Sequence, residues 1–445
     1  MSPTNGHNQA TIGSGKGSVQ RPCSRPTTEI ASWIHEHADV EFVSSAALRF
    51  DRMPLQAPAD LAGVARPHDP SRTGDWSSLA LVYAFVHALE THGRVLDIGS
   101  GDGWPALPLA PYLQQVVGID ASPRRTDVAN ENLRRFGYDH VQFRTARGEK
   151  LPFRDRHFDG VVSGTAIEQA ESREAVLAEA FRVLRPGGRF VATFENVAAE
   201  RWPSTGSTAS ADLVWESDAL SVDEHGDLVY RYAVVSPQTL CETEYRVVFT
   251  GKSLSTSLPS LGIPFNRPSG PDAPLAALHE IDGEDPKVSG KRGIDVLDKL
   301  LALPSLRSIA AQVCTVRHFS VKTITQALFD AGFREISVHG RVSRAVAPVV
   351  EDLASRGVLS ELSDQFHPIC ASLAKQWPWT DARDDRAPFV VARRPADRSK
   401  DKRSPRIPLG RGSSRRPESG PKPSLASAQD ATKEDEDHQD GTPDL

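Results

Sequence analysis

Short apolar runs alternate with segments of helical periodicity between residues 74 and 196. Apolar strands that are separated by crossover helices are typical of a mostly parallel sheet covered on both faces. The pattern therefore predicts a doubly wound α/β domain. The predicted strands are 94–99, 116–120, 141–145, 158–163 and 189–194, the predicted helices are 76–89, 104–113, 123–136 and 173–184, and a turn is predicted at 185–188.

The alternation stops after residue 196 and returns near the end of the chain. Residues 228–235 and 243–250 have the pattern of antiparallel strands, whereas a helix at 321–331 and strands at 334–339 and 389–393 continue the α/β pattern. We therefore predict one α/β domain that is interrupted by a β-containing insertion. The predicted divisions are an N-terminal cap segment at 27–73, a core at 74–196, the insertion at 197–316 as a substrate lid, and the end of the core with an extra helical segment at 317–397.

Both ends of the chain lack the apolar residues needed to offset the entropy of ordering, so residues 1–26 and 398–445 are predicted to be disordered. The formal net charge of −6 is uneven, because residues 27–397 carry a charge of −10. A body this acidic argues against binding of a nucleic-acid backbone by the folded part. The sequence shows neither a signal peptide nor an apolar run long enough to cross a bilayer. Its four cysteines are widely spaced. We expect a cytoplasmic protein with no membrane segment and no metal site.

A glycine-rich loop follows the first predicted core strand. In the run Asp97-Ile-Gly-Ser-Gly-Asp-Gly103, Gly99 permits a sharp turn and Gly101 permits a ligand to approach the backbone. The loop departs from a dinucleotide-binding motif, because its spacing is Gly-x-Gly-x-Gly and Trp104 stands at the final glycine position. No Lys or Arg lies between residues 95 and 115, whereas two carboxylates do. A ligand with positive charge therefore fits better than a pyrophosphate.

Three further motifs accompany this loop in order. They are Gly118-Ile-Asp-Ala-Ser122 at the end of the second strand, Gly148-Glu-Lys-Leu-Pro-Phe153 followed by Phe158-Asp159, and Val183-Leu-Arg-Pro-Gly-Gly188. Together the four motifs resemble the class I S-adenosylmethionine-dependent methyltransferases, with a type 11-like methyltransferase domain over roughly residues 75–195. The resemblance implies a Rossmann-like fold with seven strands, methyl transfer from S-adenosylmethionine, and weaker similarity at 318–340.

The same resemblance implies positions for the cofactor. Asp97 and the loop backbone would hold its methionine portion, Asp120 would accept hydrogen bonds from the ribose hydroxyls, and adenine would lie near Gly148. An alternative role for Asp120 is to cap the helix starting near Pro123, although Ser122 could do so instead. The implied cofactor-binding residues are Asp97, Gly99, Ser100, Gly101, Asp102, Gly103, Asp120, Ala121, Gly148, Glu149 and Ser163.

Two positions depart from the family pattern. Arg147 stands where the family often has Asp, and Glu168 lies near the place where it often has His. Glu168 is the predicted base or substrate contact, and the alternative is a carboxylate that stabilises a helix start. His318 is predicted to be structural. Transfer would proceed by in-line displacement at the sulfonium methyl, with a base needed only for a protonated nucleophile.

Three functions remain open at this point. The first is methyl transfer to a small-molecule or lipid-like acceptor. The second is a catalytically silent relative that keeps the nucleoside pocket. The third is methylation of RNA or protein, with the basic stretch at 398–422 delivering the substrate.

Overall fold

The computed structural model describes most of the chain between residues 28 and 397. The described residues are 28–197, 215–223, 225–236, 238–252, 254–262, 276–279, 286–376, 382, 385 and 387–397. Both predicted disordered ends and the start of the insertion lie outside this set.

Thirteen strands and eleven α-helices are found among the described residues. The strands are β1 Asp39–Phe42, β2 Arg94–Ile98, β3 Gln115–Asp120, β4 Val141–Thr145, β5 Phe158–Gly164, β6 Leu184–Thr193, β7 Trp215–Val222, β8 Leu228–Ser236, β9 Cys241–Gly251, β10 Ala276–His279, β11 Leu306–Arg317, β12 Arg334–His339 and β13 Phe389–Arg393. The helices are α1 Glu29–His37, α2 Ser45–Leu48, α3 Thr73–Leu89, α4 Ala106–Leu109, α5 Pro123–Phe136, α6 Arg173–Val183, α7 Leu254–Ser257, α8 Pro286–Leu301, α9 Val321–Asp330, α10 Ser343–Ser355 and α11 Phe366–Gln376.

A seven-stranded sheet forms the core, in the order β12-β13-β6-β5-β2-β3-β4. Only β13 runs antiparallel to its neighbours. Helices α3, α4, α5, α10 and α11 pack on one face of the sheet, and α6 and α9 pack on the other. The prediction of a doubly wound, mostly parallel, Rossmann-like sheet is confirmed.

Two local predictions were wrong. The helix predicted at 104–113 is reduced to α4 and a 3-10 turn at Ala110–Tyr112. The turn predicted at 185–188 lies inside β6. There the pairing of Phe158 with Leu184 is followed by that of Gly160 with Arg189, so residues 185–188 bulge out of the ladder without ending the strand.

A second sheet of six strands contains the described part of the insertion, in the order β1-β11-β9-β8-β7-β10. Strands β8 and β9 confirm the predicted antiparallel pair. The edge strand β1 comes from the N-terminal segment and pairs in parallel with β11. One face of this sheet packs on α1 and α8 around Tyr230 and Tyr245. Among the described helices, none has the length and apolar character required to cross a bilayer.

Candidate active site

A cavity of about 430 Å³ lies at the carboxyl ends of β2, β3 and β5. This is where open α/β sheets bind ligands. Its lining contains five carboxylates and two arginines. Three of the carboxylates, Asp102, Asp120 and Glu149, come from the predicted site.

The glycine loop forms one wall of the cavity. The amides of Gly99 and Ser100 both donate to the carbonyl of Ile119, at 2.8 and 2.9 Å, which anchors the loop to β3. Gly99 has φ of +75°, and an added Cβ would lie 2.2 Å from Cβ of Ala166. Gly101 has φ of +49°, but an added Cβ there would meet no atom within 4 Å. Gly99 is therefore required by packing, whereas Gly101 leaves its backbone open to a ligand.

Asp120 presents its carboxylate at the end of β3. Its Oδ2 accepts from the amide of Gly101 at 3.0 Å, and its Oδ1 accepts from the amide of Ser122 at 2.8 Å. Ser122 caps α5 by accepting from the amide of Arg125. The cap alternative for Asp120 is therefore wrong. Burial raises the pKa of Asp120, opposed by those two amides.

Both arginines in the cavity lining are paired with carboxylates. Arg125 donates to Asp102 at 2.6 Å, and Arg147 lies 2.6 Å from Glu171. Burial raises the pKa of Asp102, and Arg125 opposes the rise. The described lining therefore offers no uncompensated cation to a pyrophosphate, and its excess of carboxylates favours a cationic ligand.

Ile98, Gly148 and Val176 also line the cavity. Gly148 packs closely on the other two, since an added Cβ would lie 3.1 to 3.2 Å from side-chain carbons of Ile98 and Val176. Glu149 is fixed beside them, because its Oε1 accepts from the amides of Glu171 and Ser172 at 2.9 and 3.4 Å. Apolar side chains with a carboxylate beside them suit a nucleobase. Gly99, Ser100, Gly101, Asp102, Asp120, Ala121, Gly148 and Glu149 all line the cavity.

Three predicted cofactor residues lie behind the cavity wall: Asp97, Gly103 and Ser163. Asp97 is fully buried, its Oδ2 accepts from the amide of Ala106 at 3.1 Å, and its Oδ1 has no partner among the described residues. Burial raises the pKa of Asp97 well above its usual range. Ser163 donates to the carbonyl of Ile98 at 2.8 Å. Their direct contacts with a cofactor stay predictions.

Glu168 also lies outside the cavity lining. It is 2% exposed, and its Oε1 accepts from the amide of Glu195 at 2.8 Å. Burial raises the pKa of Glu168, opposed by this hydrogen bond. The 3-10 turn Ile167–Gln169 turns Glu168 inward, while both neighbours line the cavity. The catalytic role of Glu168 stays a prediction, and the geometry supports a role in holding residue 195.

The sequence reasoning missed the wall contributed by the N-terminal segment. Ser44, Phe50 and Asp51 line the cavity, and the hydroxyl of Ser122 donates to Asp51. Gln169 faces this segment and accepts from the hydroxyl of Ser45 at 2.6 Å. Ser44 is a helix cap in a recognisable position, but no local signal connects it with a glycine loop more than fifty residues away.

Arg49 connects this N-terminal wall to the insertion. It donates to Glu242 at 2.6 Å, to Glu244, and to Oε1 of Gln169 at 3.3 Å. Burial lowers the pKa of Arg49, but the two carboxylates outweigh burial and raise it. The guanidinium of Arg49 thus connects strand β9 to Gln169, which lines the cavity.

A family model described as a methyltransferase domain matches residues 96–192. This stretch includes the glycine loop, Asp120 and Glu149, which meet at the cavity. The domain belongs to the class I S-adenosylmethionine-dependent methyltransferases. In this methyltransferase domain, the glycine loop, Asp120 and Gly148 lie at the carboxyl ends of the parallel strands. Residues 158–159 and 183–188 lie at the opposite end of the sheet, where β5 and β6 begin.

The curated relatives match about a fifth of the chain. The chain is 37% identical over 98 residues to an uncharacterized methyltransferase, YcgJ, of Bacillus subtilis, covering 22% of this chain and 39% of the relative. It is 36% identical over 98 residues to the demethylmenaquinone methyltransferase of Tropheryma whipplei, covering 22% and 40%. The chain thus spans about two fifths of the length of these relatives. Among solved structures, the CcbJ methyltransferase of Streptomyces caelestis is similar at 14% identity, over 79% of this chain and 96% of that chain, with a TM-score of 0.38.

Proposed function

We propose that the chain transfers a methyl group from S-adenosylmethionine to a small-molecule acceptor. The observation that carries this proposal is the position of Asp120, whose two carboxylate oxygens lie on the cavity wall beside the open backbone of Gly101. A carboxylate offers two acceptors to a pair of neighbouring hydroxyls, as on a ribose.

The residues present fit this cofactor along the length of the cavity. Asp120 would hold the ribose, and the part of the cavity lined by Ile98, Gly148 and Val176 would take the adenine. The loop at Gly99–Gly101 would receive the methionine portion. Behind it lies the buried Oδ1 of Asp97, a polar atom with no hydrogen-bond partner among the described residues. The surplus of carboxylates in the lining suits a sulfonium and an ammonium group.

When bound, S-adenosylmethionine supplies an electrophilic methyl group. The chain's own task is to bind, to orient the acceptor and to exclude water, because a displacement of this kind depends on alignment. Ser44, Phe50 and Asp51 close the cavity opposite the glycine loop. This assignment requires no general acid or base among the described residues. It therefore suits an acceptor that is already nucleophilic at neutral pH.

A small-molecule acceptor is supported by the enclosure of the site. The N-terminal segment and the methyltransferase domain contact one another across the cavity through Asp51 and Ser122. A site closed on both sides suits a ligand that can be surrounded. One relative is named for demethylmenaquinone, which is also a small molecule. The acceptor's chemical identity stays open.

The test is calorimetry of the full chain with S-adenosylmethionine and with S-adenosylhomocysteine. Loss of the ribose hydrogen bonds in Asp120→Ala should cost about 2–4 kcal/mol of binding free energy, or roughly a 30- to 1,000-fold weaker Kd. Asp139→Ala is the control, because that carboxylate is fully exposed at the surface. Unchanged affinity in a folded Asp120→Ala variant would contradict the proposal.

A catalytically silent nucleoside-binding relative is the second candidate, and the inward orientation of Glu168 favours it. The two functions differ in one measurement. Metabolite extracts incubated with methyl-labelled S-adenosylmethionine should yield a labelled product that is absent with Asp120→Ala. Methylation of RNA or protein stays a prediction, since the charged tail lies outside the described residues.

A further inference from the structure

Three ionisable side chains meet where the insertion joins the core, outside the cavity. His318 follows β11, Glu242 lies on β9, and Glu195 follows β6. One ligand atom from each lies within 4.8 Å of the others. His318 is fully buried, whereas the side chain of Glu195 is 38% exposed. The cluster is therefore accessible from one side only.

The hydrogen bonding of His318 leaves one ring nitrogen, Nδ1, without a hydrogen-bond partner among the described residues. Nε2 lies 2.8 Å from Oε2 of Glu242, and a carboxylate can only accept, so Nε2 carries the proton. Glu242 is held in place by Arg49. In the neutral ring Nδ1 is then an acceptor, and it is buried without a hydrogen-bond partner among the described residues. A carboxylate that fixes the tautomer of a histidine from behind is the usual outer partner of a metal ligand.

The distance on the other side of the ring fits a shared ion better than a hydrogen bond. Nδ1 of His318 lies 3.6 Å from Oε2 of Glu195. This is beyond the range of an N–H···O bond. Two ligand atoms that each bond to one ion at about 2.1 Å are about 3.6 Å apart when the angle at the ion is about 120°.

A second unpartnered atom lies beside the same group. Glu168 is almost fully buried and contacts Glu195 through the amide of residue 195, yet its Oε2 has no hydrogen-bond partner among the described residues. The charges of both His318 and Glu195 act on this carboxyl. Nδ1 of His318 and Oε2 of Glu168 are thus two buried polar atoms that lack hydrogen-bond partners among the described residues. Burial of such atoms is unfavourable, and a bound ligand would reduce that cost.

We propose that His318 and Glu195, with Glu242 orienting the histidine, bind a divalent first-row transition ion such as Zn²⁺ or Mn²⁺. An imidazole nitrogen combined with carboxylate oxygens suits these ions, whereas Ca²⁺ and Mg²⁺ prefer oxygen ligands alone. The ion would connect the end of β6 to the end of β11 and so fix the insertion sheet on the core. The three side chains lie outside the cavity lining, so the ion site can be tested without a methyl-transfer assay.

The experiment is titration of the chelator-treated full chain with Zn²⁺ by calorimetry and with Mn²⁺ by electron paramagnetic resonance. We expect one ion per chain and at least tenfold weaker binding in Glu195→Gln, whose exposed position should leave the fold intact. His318→Gln should remove binding, and thermal melting would report whether it folds. Glu90→Gln is the matched control, since Glu90 is also partly exposed and paired with arginines away from the cluster.

Two results would overturn the proposal. One is the absence of any Zn²⁺ or Mn²⁺ binding above the chelated background, which would make His318 an ionic bridge between two glutamates only. The other is binding that Glu195→Gln and Glu90→Gln weaken equally. An ion-dependent rise in Tm that is present in Glu90→Gln and absent in Glu195→Gln would support the site without relying on activity.

Discussion

Arg49 should stabilise both the fold and the cavity, because it joins the N-terminal wall to the insertion sheet. The informative change is Arg49→Met, which keeps most of the packing of the side chain but removes its charge and its donors. The side chains of Arg49, Glu242 and Glu244 are only 16–19% exposed. Removal of the cation leaves two partly buried carboxylates close together, of which Glu242 keeps its hydrogen bond from Nε2 of His318.

The magnitude follows from this burial. Exposed ion pairs are worth about 0.2–1 kcal/mol, whereas hydrogen bonds between charged groups are worth about 1.5–3 kcal/mol, and loss of one partner of a buried pair costs about 3–5 kcal/mol. We expect Arg49→Met to lower the unfolding free energy by about 3 kcal/mol. In a unit of this size that loss corresponds to a fall in Tm of roughly 4 °C.

A double-mutant cycle with Glu244→Gln isolates the pair. The two substitutions should be less than additive, with a coupling free energy of about 1.5–3 kcal/mol measured by chemical denaturation. Arg72→Met is the control, because the Arg72 side chain is half exposed and its ion pair with Asp69, at 3.8 Å, is long and weak. The affinity for S-adenosylmethionine should also fall about three- to tenfold, since Phe50 and Asp51 follow Arg49 directly. A coupling below about 0.5 kcal/mol would refute the assigned role of this contact.

Two further predictions concern the loop and pH. Gly99→Ala should prevent stable folding, because the added methyl group would clash with Ala166. Gly101→Ala should lower the unfolding free energy by about 1 kcal/mol because of its positive φ, which thermal melting would measure. The same variant should bind the cofactor at least tenfold more weakly in calorimetry. Burial lowers the pKa of His68 to about 4 against opposition from Asp75. Between about pH 6.5, the pKa of histidine in the unfolded chain, and about pH 4, His68 binds a proton more readily in the unfolded than in the folded protein. The unfolding free energy should therefore fall by about 1–3 kcal/mol as the pH drops from about 6.5 to about 4. His68→Gln should flatten that part of the pH profile. Equal pH profiles for the two proteins would contradict this reasoning.

The core could be predicted from the sequence because its signals are local. Apolar runs that end in glycine or in a carboxylate mark strands and their carboxyl ends, and Ser122 and Ser320 mark helix starts. The parallel order of the strands then places Asp120 beside the glycine loop.

The rest of the site depends on contacts between distant parts of the chain. Strand β1 alternates polar and apolar residues but is only four residues long, and its partner begins at Ala310, far along the chain. The inward turn of Glu168 is set by the amide of residue 195, on another strand end. Neither partner can be identified from its own segment, so sequence reasoning could name Glu168 but could not orient it.

The same division explains why the relatives do not identify the acceptor. The stretch that the family model matches, residues 96–192, supplies the cavity wall that carries Asp120 and Gly148. The opposite wall comes from Ser44, Phe50 and Asp51, and Arg49 fixes it to the insertion strand β9. Both of these elements lie outside the matched stretch. Because specificity depends on the groups that contact the acceptor, the substrates of relatives that match about a fifth of this chain do not transfer to it.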